Sequence, residues 1–144
     1  MDTATVIGLN GMISAVAAFT AYYQATKKNK TDFLNNQISI LEADIDSIKE
    51  ITYKMFEELF INNTSVDESL TYRTLTHKNN TLHNKVLALN DFKQFSQDVI
   101  EYNIFSSNVL EANDKNSAES HLNTFDELYI TFKDKIYKYQ NQLN

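Results

Sequence analysis

From Leu34 to Leu59 apolar side chains recur at alternating intervals of four and three: Leu34, Ile38, Leu41, Ile45, Ile48, Met55 and Leu59, with Thr52 in register. That spacing is one face of a helix sustained for nearly four heptads, and it predicts a coiled-coil-like or long bundle helix to about Ile61. Thr31 or Asp32 can cap it. Lys27-Lys28-Asn29-Lys30 contains no breaker, so it can equally continue a helix that started earlier. Asn62-Asn63-Thr64 reads as a turn, and Ser65 with Glu68 forms a capping-box pattern. A helix follows from Val66, with an interruption expected at Asn79-Asn80. Asn90-Asp91 with Gln94 starts another through Phe92, Phe95, Val99, Tyr102 and Val109. Residues 113–117 read as a loop. Leu122, Phe125, Leu128, Phe132, Ile136 and Tyr139 mark a final helix. The expectation is an all-α protein with three to five helices in an antiparallel bundle.

Composition narrows the fold further. There is no Pro and no Cys in 144 residues, and both glycines, Gly8 and Gly11, precede Met12. Hairpins and tight turns need residues that take positive φ or fix it, so sheet architectures are excluded, and glycine-rich phosphate loops with them. The lack of Cys removes disulfides, thiol nucleophiles and Cys-type zinc sites. Asparagine must do the turn and capping work.

Thr3 to Thr26 carries no charge. A helix of that length spans a hydrocarbon core of about 30 Å. A signal peptide, a buried bundle helix and a transmembrane helix are the competing readings. The flanks favour the third: Tyr22 and Tyr23 fall where an interfacial aromatic belt belongs, and Lys27, Lys28 and Lys30 follow at once. The positive-inside rule then places the N-terminus outside an inner membrane and residues 27–144 in the cytoplasm. On a helical wheel the small and polar residues gather on one half, including Thr3, Gly8, Asn10, Gly11, Ser14 and Ala18. Bulky residues such as Leu9, Ile13 and Phe19 take the other half. Small faces let membrane helices approach, and Asn10 is costly against bare lipid. Self-association is expected, through this face and through the Leu34–Leu59 stripe, as a tetramer. The polar members would line a pore.

From Asp32 onward there are 18 acids and 10 bases, a net charge of −8. A domain that acidic is repelled by nucleic-acid backbone and by anionic lipid. Yet Ser69 to Asn90 contains no acid and holds the chain's one arginine. Arg73, His77, Lys78, His83 and Lys85 are therefore candidate phosphate ligands, for a nucleotide or oligonucleotide. The competing reading pairs this basic face with acids of a neighbouring helix, such as Glu42, Asp46 or Glu50. Glu57-Glu58, Asp44 with Asp46, and Asp126-Glu127 read as solvated surface, because neighbours one or two apart point to different helix faces. The spacing of His77 and His83 misses that of a helical metal pair. No catalytic residue, metal ligand or cofactor is expected, and the chain is not expected to be an enzyme.

A charge-free span at Thr3–Tyr23, the basic stop at Lys27, Lys28 and Lys30, and a small acidic helical domain over Asp32–Leu143 resemble the membrane effectors of bacterial anti-phage systems. The chain looks most like the channel subunits paired with a nucleotidyltransferase in Hailong-type systems. The resemblance is one of architecture over the whole chain and carries no site residue across. It implies an oligomeric ion channel controlled by a nucleotide or oligonucleotide signal, with a nucleotidyltransferase as partner. The alternative is a helical adaptor, membrane-anchored or soluble, that binds partner helices.

Overall fold

The computed structural model describes the backbone of residues 3–63 and 68–144, and the side chains of residues 17–63, 70 and 73–144. The described residues are almost entirely helical: α1 (Thr3–Phe56), α2 (Glu68–Ala88), α3 (Ser96–Glu111) and α4 (Lys115–Leu143). With no Gly or Pro after Gly11, nothing in the sequence stops α1, and no new helix is capped at Thr31 or Asp32. It runs unbroken for 54 residues, about 80 Å at 1.5 Å per residue. It closes in a π turn, Glu57–Ile61, where the Asn62 N–H donates to Glu57 O at 2.9 Å. Asn63 then takes φ 48°, the left-handed conformation that a glycine-free chain must give to asparagine. The Ser65 capping pattern and Val66 lie outside the described residues.

The helices alternate in direction. Ser47 and Asp44 of α1 meet Lys78 and Lys85 of α2. Asn79 of α2 meets Ser106 of α3. Phe95, just before α3, meets Phe132 of α4, while Tyr102 meets Phe125. Asn35 and Tyr53 of α1 meet Gln140 and Asp126 of α4. The result is an up-down-up-down bundle in which α1 lies between α2 and α4, with α3 diagonal to it. Its core holds the α1 stripe, Leu82 and Val86 of α2, Val99 and Tyr102 of α3, and Phe125, Phe132 and Ile136 of α4.

Three sequence expectations need correction. The α1 stripe is not a seam for other copies: Leu34, Ile38, Leu41, Ile45, Ile48 and Met55 are buried against this chain's own helices. Spacings of four and three suit a coiled coil and a bundle core equally, and here α2, α3 and α4 fill the groove. Thr52 survives in that dry stripe because its hydroxyl donates to Ile48 O at 2.8 Å. Second, Asn79-Asn80 does not interrupt α2. The Asn79 side chain is buried and donates to Ser106 Oγ at 3.3 Å, so it does not compete with its own backbone. Third, the loop ends earlier than Ser117: Asp114 caps α4 by accepting from Ser117 N at 2.8 Å. The Asn90 helix start is found, with a 3-10 turn, Asn90–Phe95, as its first stretch.

α1 extends well beyond the bundle. Residues 17–30 are exposed on every side. Phe19, Tyr22 and Tyr23 show 72%, 71% and 62% of their surfaces, values that no folded core of this chain reduces. Among the described residues no helix is long and apolar enough to cross a membrane. The side chains of residues 3–16, most of the expected span, are outside the description, so Thr3, Gly8, Asn10, Gly11 and Ser14 are placed only as backbone of α1. Ala18 is exposed.

Candidate functional site

The acid-free run lies on α2, and helical periodicity splits it between faces. Arg73, His77 and Asn80, at intervals of four and three, point outward and with Thr76 line a shallow depression of about 300 Å³. Lys78 and Lys85 point toward α1. Lys78 Nζ donates to Ser47 Oγ at 2.8 Å, and Lys85 forms an ion pair with Asp44. His83 is half-buried. The five candidate residues therefore do not converge on one point. For Lys85 the acid partner on a neighbouring helix exists, and it is Asp44 rather than Glu42, Asp46 or Glu50.

Acids that read as solvated surface do defined work. Asp44 and Asp46, two residues apart, serve different helices. Asp44 meets α2, while Asp46 accepts from the Tyr129 hydroxyl at 2.9 Å and lies 3.4 Å from Lys133 Nζ, both on α4. Lys133 also pairs with Glu42 at 3.1 Å. One turn along, Lys49 reaches Asp126 at 3.3 Å and lies 3.9 Å from the centre of the Tyr129 ring and 5.6 Å from that of Tyr53. The Tyr53 hydroxyl donates to Asp126. Asp46, Lys49, Glu50, Tyr53 and Tyr129 line a cleft of about 480 Å³ between α1 and α4. The sequence signal was present: Lys49 and Tyr53 lie four apart on α1, as do Tyr129 and Lys133 on α4.

The electrostatics define what this seam can do. Burial and the Asp126 hydrogen bond push the Tyr53 phenol up to about 12. Burial, then the hydrogen bond and charge of Asp46, raise Tyr129. For Lys133 burial opposes the charge, but the hydrogen bond and charge of Glu42, with Asp46 beside it, outweigh burial and raise the pKa. Near neutral pH the phenols keep their protons and Lys133 keeps its charge. Through these bonds the seam clamps α1 to α4. Among the described residues no group of three His, Cys, Asp or Glu is placed to hold a metal ion.

These features define an all-α, four-helix bundle whose first helix projects far beyond it. No family model matches the chain, and no curated protein or solved structure matches it.

Proposed function

We propose that the chain is a membrane-anchored, self-associating protein that forms a gated ion channel, with the bundle as its control domain. The supporting observation is that one unbroken helix joins the charge-free segment to the bundle core. The described part of that segment exposes Phe19, Tyr22 and Tyr23, which suits lipid or other copies of the helix. With the N-terminus outside, residues 3–26 span the inner membrane and residues 27–144 stand in the cytoplasm. The buried α1 stripe leaves the projecting helix as the place for association. Thr3, Asn10 and Ser14 line the pore while Gly8, Gly11 and Ala18 let helices approach, in a tetramer. An anchor alone has no use for Asn10 at mid-membrane, whereas a water-filled pore does.

The controlling ligand is a phosphate-bearing molecule, a nucleotide or oligonucleotide supplied by a nucleotidyltransferase partner. Arg73 and His77 are its first contacts, because they face outward. Lys78 and Lys85 would have to leave Ser47 and Asp44 to join them, and His83 lies half-buried between. Fractionation, mass measurement in detergent and flux through reconstituted vesicles test this reading. Asn10→Leu should preserve insertion and assembly and abolish flux. Recovery of the chain in the soluble fraction without detergent would reject the channel in favour of the helical adaptor.

A further inference from the structure

The bundle's charge is unevenly distributed along its axis. At the end from which α1 projects, Asp91 pairs with Lys30 at 3.4 Å, Asp98 with Lys135, and Asp134 with Lys138 at 2.6 Å. These three acids are spoken for. What remains there is Lys27, Lys28 and Lys93, with no ion pair among the described residues, against Asp32. Lys93 belongs to the 3-10 turn between α2 and α3, which the Lys30–Asp91 bridge holds beside α1. The far end is the reverse. Glu57, Glu58, Glu111 and Asp114 have no ion pair among the described residues, against Lys54 and Arg73.

We infer that the α1-proximal end, led by Lys93 together with Lys27 and Lys28, docks on the headgroups of anionic phospholipids and seats the bundle upright on the membrane. This rests on the membrane reading above. It amends the expectation that so acidic a domain is simply repelled from anionic lipid: repulsion acts on the flanks and the far end, while the near end is attracted. Both forces favour the same upright pose. Each lysine held near an anionic surface contributes enough to shift a docked-to-undocked ratio about fivefold, and salt weakens it.

The chain has no Cys, so one introduced cysteine carries a spin label at a unique site. The full chain bearing Asn90→Cys is reconstituted in vesicles of phosphatidylcholine, alone or with phosphatidylglycerol as a third of the lipid. Asn113→Cys at the far end is the control. The inference expects the Asn90 label to lose access to a water-soluble nickel chelate when phosphatidylglycerol is present, and the Asn113 label to keep it. Lys93→Glu, an exposed side chain with no core contact to lose, removes one positive charge and adds a negative one, so it should restore access by more than about fivefold, and high salt should act in the same direction. A carbonate wash separates the two failures. A chain retained in the bilayer whose Asn90 label ignores lipid charge, or ignores Lys93→Glu, overturns this inference alone. A chain stripped off by carbonate overturns the membrane reading and the inference together.

Discussion

The Tyr102 hydroxyl donates to the carbonyl oxygen of Ile45 at 2.8 Å in the dry centre of the bundle. The bond ties α3 to α1, the two helices that lie diagonally opposite, and Tyr102 also stacks on Phe125 with ring centroids 4.5 Å apart. Tyr102→Phe keeps the ring and removes the tie. It should cost about 1 kcal/mol, the net worth of one hydrogen bond. Urea titration followed by circular dichroism measures the loss, and an unchanged midpoint would show that the diagonal tie contributes nothing.

Alkali should unfold the bundle earlier than a chain of this composition would suggest. Tyr53, pushed up to about 12, and Tyr102, Tyr129 and Tyr139 are all raised, chiefly by burial. Lys133 is raised through Glu42 and Asp46. A raised pKa means that the folded state holds its proton more tightly than the unfolded chain. Stability from these groups is fully present below the ordinary pKa of about 10 and falls as pH climbs toward 12. Melting temperatures should stay level through neutral pH and drop steeply above about pH 10, with the absorbance change of these four tyrosines delayed until unfolding.

Asp44→Asn and Arg73→Ala should separate structure from control. The first strips Lys85 of its partner, but the pair is partly exposed, so stability should fall by less than about 1 kcal/mol. Arg73 is exposed and outside the core, so its loss should leave the melting curve unmoved. If the proposed phosphate ligand is real, Arg73→Ala should weaken its binding about tenfold or more. Calorimetry with an oligonucleotide at low salt reads the difference. Equal affinity in wild type and variant would discard the ligand contact.

A break in α1 should uncouple the bundle from the segment before it. Asn29→Pro removes one helical hydrogen bond and clashes with the preceding turn, at an exposed position outside the core. The far-ultraviolet spectrum of the bundle and its urea midpoint should hold, while any ligand control of flux is lost. Intact control in Asn29→Pro would mean that the continuous helix transmits nothing.

The all-helical fold was legible because helical periodicity and the absence of Gly and Pro after Gly11 both point to it. What the α1 stripe packs against was not legible, since one spacing serves two assemblies, and only the positions of Phe125, Phe132 and Tyr102 decide between them. Asn79 misled because asparagine usually marks a turn, and its partner Ser106 lies 27 residues away in the chain. The acid facing Lys85 sits 41 residues upstream, so a local scan of charge around α2 sees an unpaired run. The Lys49–Tyr129–Asp126 seam was hidden for the same reason. Its halves lie on two helices, and each half alone looks like ordinary surface.

The long first helix also sets an order of events during synthesis. α1 leaves the ribosome with Leu34, Ile38 and Ile45 bare, and the residues that cover them on α4 are made some ninety positions later. In that interval an identical stripe on a neighbouring nascent chain is a competing partner of matching spacing. Crowded polysomes should therefore favour exchanged bundles, in which one chain's α4 closes over another's α1.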